Sequence, residues 1–349
     1  MPTPTTDPAQ HDAALRLWLR VFCSALAAVL ALLLGTLLTP PFRGDLTRLG
    51  RLSETEFGPT LVQSVVPPAL RVSSALQEAD VLVIGDSFSA PLRWQSVLVE
   101  RGLRVATVGW QTLGPLCADL GEVLRAQGFR GSAVVVESVE RGLSTLLDAA
   151  HACTHTRPGR LQMQPAPRDW DPAGPFGLNT RETLFTGLLT QWHTHRARTS
   201  PDEELRHTTD GADRVRIQRV PDGCQRFSHR LCERGLFFAD DRTAAPFDAT
   251  LLDKLQRLSH RHADLSVTWV VVPNKSSVYL SPKHAPDAAA ALETGGFGPD
   301  LFRLFTETSR QQRDLYQPND THLSPAGDRL LGERIADWLR RRAGKSGPG

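Results

Sequence analysis

The stretch VLVIGDSFSAPLRW, from Val81 to Trp94, decides both the fold class and the candidate chemistry of this chain. Its run of aliphatic residues stops at Gly85-Asp86-Ser87, as in a buried parallel strand that ends in a tight turn. A serine at this point lies at the carboxyl edge of the sheet, where open α/β folds place their sites. Taken alone, the segment leaves two interpretations, because Ser87 is either a nucleophile or a turn and helix-cap residue.

Strand and helix patterns alternate on both sides of this stretch. Apolar runs predict strands at 80–85, 104–110, 132–137 and 265–272, and helical patterns are present at 91–102, 117–129 and 247–262. A last helix is predicted after Ser324, which can cap it, with Pro325 in its first turn and Gly344 after its Arg-rich last turn. Short β-α-β spacing implies right-handed crossovers, so the predicted fold class is α/β with a parallel sheet.

The chain divides into four regions by composition. Residues 1–16 form a polar tail, 17–38 an apolar span, 39–78 a connector, and 79–345 the α/β domain. The connector is expected to pack onto the domain late in its length. Residues 150–245 interrupt the α/β pattern and are polar, so we interpret them as a long, partly irregular insertion or lid over the sheet edge.

The apolar span is long enough to cross a bilayer. Val21–Leu38 contains 18 residues without a charge, and about 20 apolar residues at ~1.5 Å each cross the hydrocarbon core. A cleaved signal peptide has a shorter apolar region and a small-x-small cleavage site, whereas this run ends in Thr39-Pro40-Pro41. We therefore favour a retained anchor over a cleaved signal, and both over a buried core helix.

Arginines flank the span on both sides and do not settle its orientation. Four cysteines lie outside the span, an even number that suits disulfides in an exported domain, although four buried thiols remain an alternative. These cysteines are Cys117, Cys153, Cys224 and Cys232. We expect residues 1–16 to be cytoplasmic and the domain to be periplasmic, anchored in a bacterial inner membrane.

Charge and motifs exclude several classes of function. Lys and Arg number 40 against 38 Asp and Glu, a net charge of +2, which does not indicate a nucleic-acid binder. No glycine-rich nucleotide loop follows a strand. Histidines cluster as HACTH and HTH, but His151, His155, His193 and His195 do not form a recognised ligand set, so no metal site is predicted.

A candidate base for Ser87 lies near the other end of the chain. Asp320 and His322 flank Thr321 in a loop just before the last helix, and this spacing lets both side chains point the same way. Asp320 can then orient the imidazole of His322 while the other ring nitrogen faces the serine. Each residue alone also fits a turn or a helix start, but together with Gly85-Asp86-Ser87 they indicate a catalytic triad.

These two blocks resemble the first and last motifs of the SGNH/GDSL hydrolase superfamily: Gly85-Asp86-Ser87-Phe88-Ser89, and Asp320-Thr321-His322-Leu323-Ser324-Pro325 with Gly327. Two further segments, 134–143 and 271–280, are similar to segments of alginate O-acetyltransferases of the AlgJ/AlgX type. The resemblance lies in blocks over residues 80–335 and omits the insertion. In that branch the Asp-x-His block precedes the serine block, whereas here it follows, and Glu137-Ser138 stands in place of the superfamily's oxyanion asparagine.

The resemblance implies an SGNH, flavodoxin-like parallel sheet between helices, and an O-acetyltransferase that acts on an exopolysaccharide or other envelope glycan. It implies an acetyl-serine at Ser87, no bound cofactor, and an acetyl donor supplied by a multispanning membrane acyltransferase or a carrier. An acetyl esterase and a non-catalytic glycan-binding component of an export complex are the alternatives.

Other residues are candidates for the oxyanion hole or the lining of the site. The Ser87 N–H is one possible oxyanion donor, and a glycine after the second strand, Gly109 or Gly114, is another. Arg141 is expected to pair with Glu137 or Glu140, or else to supply charge to the site. Further candidates for lining the site follow the fourth strand: Asn274, Lys275 and Tyr279. Lys275 is alternatively solvated, and Tyr279 alternatively only packs.

Overall fold

A computed structural model describes residues 8–156, 159–167, 178–180, 182–209, 212–280 and 286–345. The protein is α/β, with two sheets and an apolar N-terminal helix. The strands are β1 Val81–Gly85, β2 Val105–Gly109, β3 Ala133–Val139, β4 Glu204–Thr209, β5 Ala212–Arg219, β6 Arg234–Phe238 and β7 Val267–Val272. The helices are α1 Pro8–Leu38, α2 Asp45–Gly50, α3 Glu54–Phe57, α4 Gln95–Glu100, α5 Trp110–Leu113, α6 Leu120–Ala126, α7 Glu140–Ala152, α8 Thr186–Thr199, α9 Gly223–Arg226, α10 Ala249–Arg261, α11 Lys275–Tyr279, α12 Pro286–Thr294, α13 Leu301–Thr308 and α14 Pro325–Lys345.

The main sheet is four-stranded and parallel, in the order β2-β1-β3-β7. Its four strands are those predicted from the apolar runs, which confirms the α/β class. Strand β3 continues to Val139, two residues beyond the predicted end at Glu137, because Ser138 and Val139 pair with Val271 and Val272 of β7. Since all four strands run the same way, their carboxyl ends form one edge.

Alternate residues of each main-sheet strand enter different hydrophobic clusters, as the pleat requires. Leu82 and Ile84 of β1 pack in a cluster with residues of α6, α7, α10 and α12. Val81 and Val83 pack in a second cluster with residues of α4, α11, α13 and α14. Burial of both sets of side chains explains why β1 is continuously apolar rather than alternating.

The N-terminal helix α1 is long and exposed along most of its length. Residues 11–38 form the one helix in the described part of the chain that is long and apolar enough to cross a membrane. The helix begins at Pro8, so residues 8–16 of the predicted polar tail continue it, while residues 1–7 lie outside the described residues.

The insertion differs from the irregular segment that we predicted. It contains α8 and an antiparallel sheet in the order β4-β5-β6, and parts of it lie outside the described residues. In β5, Val215 and Ile217 are fully buried and alternate with arginines. This period-two pattern was present in the sequence, but it spans only two apolar residues, with Arg216 between them, and is too short to predict a strand.

The connector packs onto the domain late in its length, as predicted, because Leu76 is buried in the core cluster of the main sheet, and it also packs near its beginning. Leu46, Leu52 and Phe57 are fully buried and form a third hydrophobic cluster with Val215 and Leu236 of the second sheet. The connector and the insertion therefore share a core, a long-range contact that neither segment's composition indicates.

The four cysteines that follow the apolar helix form two disulfides. Cys117 bonds Cys153, and Cys224 bonds Cys232, while Cys23 in α1 is free. The first disulfide joins the segment before α6 to the end of α7, on one side of the main sheet. The second closes the loop before β6.

The closing helix α14 begins as predicted and ends later. Ser324 Oγ accepts from the Gly327 N–H at 3.2 Å, and Pro325 is the first helical residue. Gly344 lies inside the helix rather than after it, and open space surrounds the position that a Cβ would occupy there. Its backbone does not take the positive φ with which a glycine commonly ends a helix.

Candidate active site

The turn after β1 is held by the side chain of Asp86. Its Oδ1 accepts from the Phe88 N–H at 2.9 Å, and its Oδ2 accepts from the Val139 N–H at 2.8 Å. These bonds tie the turn to the end of the neighbouring strand and leave Ser87 exposed at the carboxyl edge. The Ser87 N–H donates to no acceptor in the described part of the chain, so it is free to bind an oxyanion.

A buried acid, Glu137, lies directly behind this turn. Its Oε2 accepts from the Asp86 N–H at 3.0 Å and from Ser89 Oγ at 2.7 Å. A Cβ on Gly85 would lie 2.2 Å from Ser89 Oγ and 2.7 Å from Glu137 Oε2, so only glycine fits there. Burial, together with the charge of Asp86, raises the pKa of Glu137 well above its ordinary value and so favours its protonated form.

The sequence analysis noted Glu137 as a departure from the superfamily pattern and as a possible partner of Arg141, but not as a support for the serine turn. Its carboxyl occupies the space beneath the serine turn and takes up the N–H of Asp86. The sequence did contain a sign of this role. An acidic residue inside a continuous apolar strand is unusual, and once buried it requires a hydrogen-bond partner.

The structure brings the three predicted triad residues together. Ser87 Oγ lies 2.8 Å from His322 Nε2, and His322 Nδ1 lies 2.6 Å from Asp320 Oδ1. The His322 N–H also donates to Asp320 Oδ1 at 2.9 Å, which fixes the loop that carries both residues. The Phe88 ring packs beside the imidazole, with 4.8 Å between ring centroids. The arrangement matches the nucleophile, base and orienting acid of a serine acyl-transfer site.

The charges around His322 favour its protonated form. Burial lowers the pKa of His322, but the hydrogen bond and charge of Asp320, with the charge of Asp45, more than offset burial and raise the pKa above its ordinary value. Burial likewise raises the pKa of Asp320, and the hydrogen bond and charge of His322 overcome this and bring it to about 2. Asp320 is thus ionised throughout the physiological range and stabilises the imidazolium that forms when His322 takes a proton.

The connector contributes a second carboxylate that sequence reasoning missed. Asp45 Oδ2 lies 3.9 Å from His322 Nδ1, and the Asp45 N–H donates to Asp320 Oδ2 at 2.9 Å. Asp45 also accepts from Thr321, at 2.8 Å from the N–H and 2.5 Å from Oγ1. No local pattern marks Asp45, because its role depends on a contact between positions 275 residues apart.

Gly44, just before Asp45, makes this docking possible. A Cβ there would lie 1.9 Å from the Asn319 carbonyl oxygen. That carbonyl accepts from Leu46 N–H at 3.1 Å and Thr47 N–H at 3.2 Å, the first turn of α2. The connector that follows α1 therefore packs directly against the loop that carries Asp320 and His322.

Lys275 is buried against the loop that carries Asp320 and His322, and it does not line the open site. Only 1% of the residue is exposed, and its Nζ donates to the carbonyls of Gln317 at 2.7 Å, Pro318 at 2.9 Å and Asp320 at 3.1 Å. Burial lowers the pKa of Lys275 to about 8, although the charges of Asp320 and Asp45 oppose that shift. Both sequence alternatives, site lining and solvation, are therefore wrong.

Arg141 and Asn274 lie beside the triad at the ends of β3 and β7. Asn274 Oδ1 accepts from the Arg141 N–H at 3.2 Å and from Arg141 Nη1 at 3.4 Å. Arg141 Nη1 is 3.4 Å from Asp241 Oδ1, so Arg141 forms an ion pair with the insertion, whereas the prediction named Glu137 or Glu140 as its partner. The charge of Arg141 lowers the pKa of His322, in opposition to Asp320, which places the guanidinium within electrostatic reach of the imidazole.

The two glycine candidates and Tyr279 differ in position. Gly109 pairs with Gly85 in the sheet register and so ends β2 at the same edge as Ser87. The Gly114 N–H already donates to the Trp110 carbonyl at 2.8 Å, and it is therefore not an available oxyanion donor in this conformation. Tyr279 is 2% exposed and packs against the Phe227 ring. It therefore packs in the core, as one of the two alternatives predicted, and is too buried to contact a sugar.

One group of described residues has metal-ligand geometry: single donor atoms of Asp45, Asp320 and His322 lie within 4.8 Å of one another. These atoms already bond each other and Thr321, an arrangement that serves the triad without an ion. The histidines of the HACTH and HTH segments are separated. His151 Nε2 lies 3.1 Å from the Lys254 carbonyl, whereas the His193 ring packs 4.6 Å from that of His207.

Neither of two pockets is lined by Ser87, Asp320 or His322, and they differ in whether another predicted site residue lines them. A hydrophilic pocket of about 450 Å³ lies next to Asn274 and is lined by charged and amide groups that include Asp241, Arg216 and Gln218. A more apolar pocket of about 510 Å³ is lined by residues at the amino edge of the sheet, among them Val81, and none of the predicted site residues contributes to it.

Comparisons with protein-family models, with curated proteins and with solved structures found no match to this chain.

Proposed function

We propose that this protein is a membrane-anchored, exported SGNH-type O-acetyltransferase that transfers an acetyl group to a hydroxyl of an exopolysaccharide or other envelope glycan. The observation that carries the proposal is the continuous hydrogen-bonded series Ser87–His322–Asp320, with distances of 2.8 Å and 2.6 Å, at the open carboxyl edge of a parallel sheet. A hydroxyl needs a base to act as a nucleophile at neutral pH, and this geometry supplies one.

In the first half-reaction, Ser87 Oγ attacks the acetyl carbonyl and its proton moves to His322 Nε2. The carbonyl oxygen becomes an oxyanion, for which the Ser87 N–H is one donor and the Gly109 N–H is the remaining candidate for a second. As the tetrahedral intermediate collapses, the bond from the carbonyl carbon to the donor's leaving group breaks, and His322 returns the proton to that group. Acetyl-Ser87 remains.

In the second half-reaction, a glycan hydroxyl loses its proton to His322 as its oxygen attacks acetyl-Ser87. The bond between Ser87 Oγ and the carbonyl carbon then breaks, and Ser87 regains the proton. Water in place of the glycan would give an esterase. Whether the enzyme transfers the acetyl group or hydrolyses it depends on whether the acceptor fills the site and excludes water. The hydrophilic pocket lined by Asn274 offers room of about 450 Å³ for a sugar.

Topology supports the assignment to an SGNH, flavodoxin-like fold. Strand order β2-β1-β3-β7 places the first strand in the interior of the sheet, with Ser87 directly after it, and the Asp-x-His loop directly precedes the last helix. One departure from the superfamily pattern bears on the choice of subfamily. Glu137 buries its carboxyl behind the serine turn, where the superfamily's asparagine would offer an amide to the oxyanion. We propose that the acetyl group arrives from a multispanning membrane acyltransferase or a carrier.

The location follows from two features. The α1 helix is long and apolar enough to anchor the chain, and the two disulfides lie in the domain that follows it. Disulfides form and persist in oxidising compartments such as the periplasm. We propose that the domain faces the periplasmic side of a bacterial inner membrane.

The test uses the full-length protein in detergent, a chromogenic acetyl ester as donor and a neutral oligosaccharide as acceptor. A transferase gives acetylated oligosaccharide, detected by mass, and releases the chromophore faster when acceptor is present. Release of chromophore with no acetylated product establishes the esterase alternative. A wild-type protein that releases no chromophore, yet binds the oligosaccharide, would contradict the catalytic proposal. An arm with a chelator is expected to leave the rate unchanged.

Removal of the Asp45 charge is expected to shift the pH dependence. Because Asp45 raises the pKa of His322, Asp45→Asn should lower that pKa. His322 acts as a base only when neutral, so activity falls as the pH drops through its pKa, and the acid limb of kcat/KM should move to lower pH in the variant. The measurement is the pH profile of acetyl-ester cleavage by the full-length protein.

The control for that measurement is Asp253→Asn, which removes an exposed carboxylate paired with Arg257 on α10. Its profile should coincide with that of the wild type. An acid limb that stays in place or moves to higher pH in Asp45→Asn would show that Asp45 does not act on His322.

A further inference from the structure

Helix α8 turns its large apolar side chains outward. Leu188 is 56% exposed and Trp192 57%, and Phe185, at the N-cap, is 53% exposed. Residues three, four and seven positions apart share one face of a helix, so these three side chains form a single stripe. Leu178, just before the helix in the described chain, is 61% exposed as well.

The opposite face of α8, which the protein covers, is made of small and hydroxyl-bearing residues. The buried positions are Thr186, Gly187, Thr190, Thr194 and Ala197. Thr194 Oγ1 accepts from the Ser53 N–H at 3.0 Å, and Ala197 packs in the cluster of Leu46 and Phe57. A helix beside water buries its large apolar residues and exposes its polar ones. The reversed pattern is expected of a helix whose outer face contacts an apolar medium.

This outward face begins where α1 ends. Thr36 Oγ1 donates to the Leu184 carbonyl at 2.8 Å and accepts from the Gly187 N–H at 3.0 Å, and the Asn179 N–H donates to the Leu37 carbonyl at 3.1 Å. A Cβ on Gly187 would lie 2.6 Å from the Gly35 carbonyl carbon, so the two backbones are in direct contact. Leu178, Phe185 and Leu188 are each the chain neighbour of a residue in this junction.

We infer that the membrane seat, which we define as Leu178, Phe185, Leu188 and Trp192, lies in the interfacial layer of the same bilayer that α1 crosses. The inference rests on α1 as a membrane span and not on the proposed chemistry. Tryptophan is enriched at membrane interfaces, where its ring is apolar and its N–H is hydrated. The exposed Arg196, one turn after Trp192, extends the same side of the helix with a cation suited to lipid phosphates.

Such a seat fixes the orientation of the candidate active site. A single helical span leaves a domain free to rotate and tilt, whereas a second membrane contact beside it does not. Thr194 of α8 accepts a hydrogen bond from Ser53 of the connector, and Asp45 of the connector donates one to Asp320 in the loop that carries His322. The triad would thus be held at a set height and direction over the lipid surface.

The experiment measures lipid contact directly in the full-length protein. Leu188→Cys, in a Cys23→Ser background, is labelled with an environment-sensitive fluorophore and placed in nanodiscs of phosphatidylcholine with a minority of phosphatidylglycerol. The label should emit at shorter wavelength than in water, resist quenching by aqueous iodide, and be quenched by nitroxide lipids labelled near the headgroup. The matched control is Glu122→Cys on the exposed surface of α6, which should respond to iodide and not to the lipids.

A Leu188 label that iodide quenches as strongly as the Glu122 label, with no effect of nitroxide lipids, would overturn the inference and assign the face to a protein partner absent from the nanodisc. Trp192→Cys, labelled in the same way, is the second variant if Leu188→Cys is poorly folded. Neither measurement depends on enzymatic activity, so a negative result for lipid contact is distinct from a failure of the proposed function.

Discussion

Replacement of Ser87 with alanine is expected to reduce acetyl-ester cleavage and acetyl transfer at least ~10³-fold, since the acetyl group then has no nucleophile to receive it. Ser87 Oγ is the atom that His322 Nε2 contacts at 2.8 Å, and removal of this hydroxyl leaves the base facing solvent. The side chain is exposed, so the variant should fold normally. Of the substitutions proposed for this protein, we expect this one to have the largest effect on the rate.

The measurement compares kcat for the wild type and Ser87→Ala, together with mass spectrometry of the protein after brief exposure to the donor. An acetyl adduct should map to the peptide that contains Ser87 in the wild type and be missing in the variant. Ser96→Ala, which removes a hydroxyl bonded to the Arg93 carbonyl in α4, should leave the rate unchanged. Full activity in Ser87→Ala, or an adduct on a different residue, would refute the assigned nucleophile.

Replacement of Lys275 with methionine is expected to have the second-largest effect, on both stability and rate. Methionine keeps much of the side-chain volume but leaves the carbonyls of Gln317, Pro318 and Asp320 without the Nζ donor. The Gln317 carbonyl still accepts from the Asp320 N–H at 3.3 Å, whereas the carbonyls of Pro318 and Asp320 lose their donor. An unsatisfied buried polar group costs about 1–3 kcal/mol, so the loop should lose roughly 2 kcal/mol or more. The same loop holds His322 against Ser87, and we expect kcat to fall at least ~10²-fold.

Thermal unfolding of the full-length protein and the steady-state rate test this expectation together. Lys254→Met is the matched control, because Lys254 makes a partly exposed pair with Asp148 and is expected to change neither value appreciably. A Lys275→Met protein with wild-type Tm and kcat would show that the three hydrogen bonds do not hold the loop in place.

Much of the main sheet was predictable from the sequence. Each of its strands is buried on both sides, so each reads as a continuous apolar run, and the predicted strands at 80–85, 104–110, 132–137 and 265–272 all occur. The second sheet was missed, because three arginines interrupt the apolar residues of β5 and β4 has a single aliphatic residue, Leu205. Prediction of that sheet required knowledge that the connector would supply Leu46, Leu52 and Phe57 to its core.

For the candidate site, the sequence by itself determined the nucleophile turn and the Asp-x-His spacing, since both depend on residues close together in the chain. It also marked α1 as an apolar helix. Only the tertiary structure decided that Asp45 stands beside His322, that Lys275 is buried beneath the loop, and that Glu137 supports the serine turn. Each of these contacts joins segments far apart in the chain. Burial converts such side chains from solvated charges into hydrogen-bonded supports, and burial is a property of the folded packing rather than of local sequence.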